Sequence, residues 1–215
     1  MPTIYLVRHG QTGGLAEGDP GITELGERQA EAAATALQQR GLRMPVLISG
    51  ALRRQLDTAG IISSVTGIPL SAPAEPGFNE FDHQAILSAH SEKRTLEGRD
   101  NREVQAALDQ ALTAWITDAA EEWESFVARA VGALDEVISR AGQGRDLVIV
   151  TSGGVIAVLC MRAIAATPNS FVALNRMAVN ASITVLVAGS SGKNLLSYND
   201  HAHLLGRADK LLTYR

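Results

Sequence analysis

The sequence predicts an α/β protein: a mostly parallel sheet with helical crossovers, closed at one edge by an antiparallel pair of strands. Three observations predict it. The chain alternates strand-like and helix-like segments from its first residues. Its strongest buried run, Asp146 to Thr151, opens through Ser152-Gly153-Gly154 into an all-apolar helix. Its last two β-rich runs are separated only by a glycine-serine turn.

Thr3 to Val7 is a short β-rich apolar run that ends in Arg8-His9-Gly10, so a buried strand opens into a loop there. Thr23 is placed to cap a helix in which Ala30, Ala33, Ala34 and Leu37 recur at helical spacing until Gly41. A second strand is expected at Val46 to Ser49. Leu52, Leu56, Ala59 and Ile62 then mark an amphipathic helix that Gly67 and Pro69 close. The stretch from Ala72 to Arg102, with Pro73, Pro76, Gly77 and clustered charges, predicts loops with at most short helices. Val104 to Trp115 and Trp123 to Ile138 each carry a helical apolar stripe, read as plain core packing. Ser182 to Ala188 and Asn194 to Tyr198 form the expected antiparallel pair.

With 215 residues, 46% of them hydrophobic and 20% charged, the chain is long enough for one substantial core and too apolar for disorder. A single domain over 1–215 is the expectation, with a loop and helix insertion at about 72–120 over the site. The formal net charge of -4 gives no field that would draw the chain to nucleic acid or anionic lipid. The only cysteine, Cys160, lies in an apolar run, where a buried small hydrophobe is the expected role. Arg8 interrupts the N-terminal apolar run and Arg162 the run from Gly153, both short of the ~20 residues a membrane helix needs. A cytoplasmic protein, monomer or homodimer, is the expectation.

Open parallel sheets hold ligands beyond the carboxyl ends of their strands. Three such ends carry chemistry here: Arg8-His9-Gly10, Ser49 followed by Arg53-Arg54, and Ser152-Gly153-Gly154 at a helix start. Guanidinium groups bind phosphate through paired donors, helix N-termini aim N–H groups at anions, and an unprotonated imidazole nitrogen can attack phosphorus. Together these residues describe a phosphoryl pocket. No His, Cys or carboxylate cluster shows metal-ligand spacing, so neither metal nor other cofactor is expected.

The segments LVRHGQT, ISGALRRQLDTAG, FNEFDH, VTSGGVIAVL, NASIT and NDHAHL resemble, in order and approximate spacing, those of the histidine phosphatase family. The resemblance runs from Leu6 to His203. It implies a phosphoglycerate mutase-like fold, a three-layer α/β/α sandwich with a mostly parallel sheet and an antiparallel edge strand. It implies that His9 is the nucleophile that becomes phosphohistidine and that Arg8 binds phosphate beside it. The family's second arginine lies four residues before a Thr-Ala pair, which selects Arg54 over Arg53 because the pair here is Thr58-Ala59. Glu80 matches the acid that protonates the leaving oxygen and later activates water, a task that a raised carboxyl pKa would suit. Gly153 belongs to the helix-end anion site, Gln11 is expected to orient the loop behind His9, and Thr23 is a further accessory candidate.

Two departures from the family pattern bear on function. A second pocket histidine is usual in a segment like VSHGG, and Ser152 stands in its place; a serine keeps a donor at the phosphate but brings no positive charge. His83 either supplies the missing proton or charge, or is an exposed loop histidine. The short glycine-rich stretch between Gln11 and Thr23 offers no match to the Asn and Arg with which the mutases hold a sugar-acid phosphate. Hydrolysis of a small phosphate ester is therefore expected. A weak or inactive phosphate binder and a mutase are the alternatives. Lys93, Arg94, Arg99 and Arg102 are candidates for the substrate entrance or for a plain solvated charge run. His203 is expected to pack and hydrogen-bond, and His90 and His201 carry no role.

Overall fold

A computed structural model describes residues 1–13, 19–90, 101–190, 192–206 and 210–214. Five strands form one sheet: β1 (Thr3–Arg8), β2 (Val46–Ser49), β3 (Leu147–Thr151), β4 (Ile183–Gly189) and β5 (Gly192–Asp200). Their order is β2-β3-β1-β4-β5. β3 runs parallel to both β1 and β2, while β4 runs antiparallel to β1 and to β5. The reversed strand is β4, and the sheet edge beyond it belongs to β5.

The alternation of side chains along the strands separates two apolar layers. Ile4, Leu6, Leu147 and Ile149 face α5 (Ala120–Ala141) and α6 (Gly153–Ala163), together with Trp115 of α4 (Asn101–Asp118) and Phe171 of α7 (Ser170–Met177). Tyr5, Val7, Val148 and Val150 face Ala33, Ala34 and Leu37 of α1 (Glu24–Gln39) and Ala59 and Ile62 of α2 (Arg53–Thr66). The result is an α/β/α sandwich. α3 (His83–His90) follows a short 3-10 turn at Pro76–Phe78, and this loop, α3 and α4 lie within the stretch that the sequence marks as an insertion. Lys93, Arg94 and Arg99 lie outside the described residues, as does the side chain of Arg102.

Local sequence explains the element ends. Thr23 caps α1, its Oγ1 accepting from Gly26 N at 3.1 Å, and Glu24 and Glu27 lie in the first turn where the helix dipole favours them. α2 ends at Gly67, whose φ of 74° is left-handed. Leu56, expected on the buried stripe of α2, is 38% exposed, because the helix seats Gln55, Thr58, Ala59 and Ile62 against its neighbours and turns Leu56 outward. The sequence gives no sign of α7; only Phe171, Val172 and Asn175 of its eight residues are buried, too few to set a period. Cys160 is buried, and burial pushes its thiol up to about 12. Among the described residues no helix is long and apolar enough to cross a membrane.

Asp146 ties the start of the sheet together. Its carboxylate accepts from Thr3 N (3.1 Å), Arg43 N (2.9 Å) and Arg43 Nη2 (3.0 Å). Burial alone would raise its pKa, but the hydrogen bonds from Arg43 and Thr3 outweigh burial and hold it below the ordinary 3.8. A carboxylate depressed in the folded state stabilises the protein above its unfolded pKa, and that contribution is lost as pH falls through the folded value. Asp146→Asn should therefore cost about 1–3 kcal/mol in denaturant unfolding at neutral pH, since its amide would turn an N–H toward a backbone donor. The deficit relative to the parent should shrink once pH drops below about 4.

Candidate active site

The carboxyl ends of β2, β3 and β1 lie level. Arg8 pairs in register with Thr151, and Ser49 with Val150. Beyond the last pairs, His9 N donates to Thr151 O at 2.9 Å and Gly50 N to Val150 O at 3.0 Å. His9 and Ser152 thus leave adjacent strands at the same height. His9 is 6% exposed, and its Nδ1 lies 2.8 Å from Gly10 O. A carbonyl only accepts, so in a neutral ring Nδ1 carries the proton and Nε2 is the unprotonated nitrogen. The backbone of His9 is fixed from the other side, where its carbonyl accepts from Ala181 N (3.3 Å) and Asn180 Nδ2 (3.4 Å).

The turn after His9 packs backbone to backbone on α1. A Cβ added at Gly10 would overlap the Gly26 carbonyl, and one at Gly26 would overlap the Gln11 carbonyl. Gly10 N donates to Thr58 Oγ1 (3.1 Å), and the Thr58 hydroxyl donates to Arg54 O (2.7 Å). The loop of His9 is therefore joined to the turn of α2 that carries Arg54. Gln11 N donates to Gln29 Oε1 (2.8 Å), and Gln11 Oε1 accepts from the Thr23 hydroxyl (2.8 Å), so both accessory residues brace this loop from behind.

Arg54 is mostly buried, at 17% side-chain exposure, and its Nη1 donates to Asp19 Oδ1 at 2.9 Å. The Arg53 side chain is 73% exposed, at the rim. Arg8 is buried; its Nη1 donates to Ala178 O, and its Nε would lie 3.6 Å from a Cβ on Gly153. The Arg8 guanidinium thus lies against the start of α6.

Ser152 is fully buried and occupies the N-cap of α6 without a side-chain cap bond. Its Oγ instead accepts from Gln55 Nε2 at 2.9 Å, which leaves its own hydroxyl hydrogen to be donated elsewhere. Gln55 Nε2 also donates to Phe78 O (3.0 Å), as does Thr151 Oγ1 (2.8 Å), so this amide links α2, β3 and the loop ahead of Glu80. Glu80 Oε2 accepts from Gly154 N at 2.9 Å. One of the amides that the sequence reserves for an anion is therefore taken by the carboxylate of Glu80. A Cβ on Gly154 would overlap both this carboxylate and the Phe81 ring, so only glycine permits the approach.

The loop bearing Glu80 is held by an aromatic layer and a cation. Phe81 lies 5.3 Å from Trp115 and 5.6 Å from Phe126, ring centre to ring centre. Arg129 Nη1 donates to the carbonyls of Pro76 (3.0 Å) and Gly77 (2.9 Å). Burial pulls the Arg129 guanidinium pKa down, and the charge of Glu80 partly opposes that. The His83 ring packs on Phe81 at 4.2 Å, next to the Glu80 loop. Farther off, His203 Nε2 lies 3.0 Å from Ala181 O and burial lowers its pKa, while His201 Nδ1 lies 2.7 Å from Asn199 O.

His9, Arg54, Ser152 and Glu80 are thus brought to one end of the sheet by contacts of named atoms. Asp19, Gln55, Thr58, Asn180 and Arg129 complete the constellation without having been singled out by the sequence as site residues. Gln55 and Thr58 fall inside the segment ISGALRRQLDTAG and Asn180 opens NASIT, whereas Asp19 and Arg129 lie in none of the segments that carry the resemblance. Two open grooves lie elsewhere: one of about 450 Å³ between α4 and α7, lined by Asp109, Thr113 and Arg176, and one of about 540 Å³ between α1 and α2, lined by Glu31, Arg53 and Asp57. Neither is lined by His9, Arg54, Ser152 or Glu80. Among the described residues no three His, Cys, Asp or Glu side chains gather where they could hold a metal ion.

A family model described as the histidine phosphatase superfamily (branch 1) matches residues 4–201. The chain is 31% identical over 175 residues to a glucosyl-3-phosphoglycerate phosphatase of Mycolicibacterium vanbaalenii, an alignment covering 73% of this chain and 71% of that one. It is 27% identical over 168 residues to a 2,3-bisphosphoglycerate-dependent phosphoglycerate mutase of a Methylobacterium species, covering 74% and 78%. The crystal structure of a phosphoglycerate mutase from Bacillus anthracis superposes with a TM-score of 0.67 at 21% identity, over 94% of each chain.

Proposed function

Because the chain belongs to the histidine phosphatase superfamily, we propose that it is a metal-independent phosphomonoesterase that acts on a small phosphorylated molecule through a phosphohistidine at His9. The observation that carries this reading is the convergence of the His9 loop with Arg54 through the Gly10–Thr58–Arg54 hydrogen-bond chain, level with Ser152 and Glu80. The ring of His9, with Nδ1 turned to Gly10 O, presents Nε2 as the nucleophile. In the first step Nε2 forms a bond to phosphorus as the bond to the ester oxygen breaks, and Glu80 delivers a proton to the departing alcohol. In the second step water attacks the phosphohistidine, Glu80 takes back a proton, and inorganic phosphate leaves. Arg8, Arg54, the Ser152 hydroxyl and the amide of Gly153 stabilise the charge on the equatorial oxygens.

Ser152 also supports a second reading, a phosphate binder with little turnover, since its hydroxyl is neutral and already accepts from Gln55. A mutase is the third, on the strength of the Methylobacterium relative. Product analysis separates them. With a generic aryl phosphate the account expects alcohol and inorganic phosphate in equal amounts. Binding without turnover would favour the binder, and exchange between phosphoglycerate isomers without free phosphate would favour the mutase.

A further inference from the structure

Asp19 occupies the place where an anion on Arg54 would sit. Its Oδ1 accepts from Arg54 Nη1 at 2.9 Å, and its Oδ2 accepts from Arg53 N in the first turn of α2. One carboxylate therefore engages both a guanidinium and a helix N-terminal amide, the same pair of donors that suits a phosphoryl oxygen. Hydrogen bonds that do not involve Asp19 hold Ile22 and Thr23, three and four positions further on. Ile22 N donates to Asp57 Oδ2 (3.3 Å), Thr12 bridges Ile22, and Thr23 N donates to Gln11 O (2.9 Å).

We propose that Asp19 sets the affinity of the phosphate site: it is an internal anion that competes with the substrate for Arg54 and that a phosphomonoester must displace. This rests on the phosphatase reading above. A phosphomonoester near neutral pH carries close to two negative charges, against one on the carboxylate, so it displaces Asp19 more readily than a singly charged diester does. The competition weakens every anion that needs Arg54 by one common factor, set by the fraction of molecules in which Asp19 has released the guanidinium. Removing the Asp19 charge should tighten phosphate binding.

The test compares inorganic phosphate binding by calorimetry, and KM and kcat for an aryl phosphate, in the parent, Asp19→Asn, Asp19→Ala, Arg54→Ala and the double variant Asp19→Asn/Arg54→Ala. Asp19→Asn and Asp19→Ala should each bind phosphate about threefold to fivefold more tightly, the scale of a partly exposed ion pair. KM should fall by a similar factor, and the gain should vanish in the double variant. Unchanged or weaker phosphate binding in both single Asp19 variants, with Arg54→Ala still weakening it, overturns the role of Asp19 alone. Phosphate affinity indifferent to Arg54→Ala overturns the phosphate site itself.

Discussion

His9→Ala should lower the rate of aryl phosphate hydrolysis by about a thousandfold or more, because removal of a nucleophile leaves only binding and charge stabilisation. The fold should survive the change. The segment is held by backbone bonds that the substitution leaves in place, from His9 N to Thr151 O and from Ala181 N to His9 O. Steady-state rates, together with an unchanged far-ultraviolet spectrum and melting profile, check it. A rate equal to the parent's would assign the hydrolysis to some other group.

The largest effect on stability is expected from Trp123→Ala. Trp123 is 2% exposed and packs edge-on against Trp115 at 5.2 Å and against Phe171 at 4.8 Å. Deleting a buried ring of this size removes its transfer free energy and leaves a cavity, about 3–5 kcal/mol together. Denaturant titration of the purified variant measures it. The consequence should reach the site, because Trp115 and Phe171 also contact Phe81, which stands beside Glu80. A variant that keeps its fold in the cold should therefore lose turnover more than it loses affinity for phosphate.

Much of the fold was legible because its signals are local. β1, β2 and β3 are short apolar runs flanked by polar turns, and the expected limits of β2 coincide with those observed. Thr23 announces α1 through the chemistry of a cap, and the glycine-serine turn announces the β4-β5 pair. α7 was not legible, since eight residues with three buried positions do not establish a period. Leu56 misled because helical spacing says which residues share a face but not how far the buried face extends.

The candidate site divides in the same way. Its segments were visible as strand ends rich in arginine, histidine and glycine, and the motif resemblance extended them to Glu80. The hydrogen bonds between segments were not visible. Gln55 meets Ser152 across 97 positions and Glu80 meets Gly154 across 74, distances over which no periodicity operates. Asp19 was passed over as one polar residue in a short glycine-rich stretch; only the fold brings it to Arg54, 35 positions away.

The central claim is a covalent phosphoryl group on His9, and rapid quenching followed by mass spectrometry of the peptide that carries residues 8 to 10 tests it most directly. During turnover of an aryl phosphate the account predicts a fraction of that peptide heavier by one phosphoryl group, labile to acid as a phosphoramidate is, and absent from His9→Ala. Sustained hydrolysis with that peptide never modified, or with the phosphoryl group found on another residue, would contradict it.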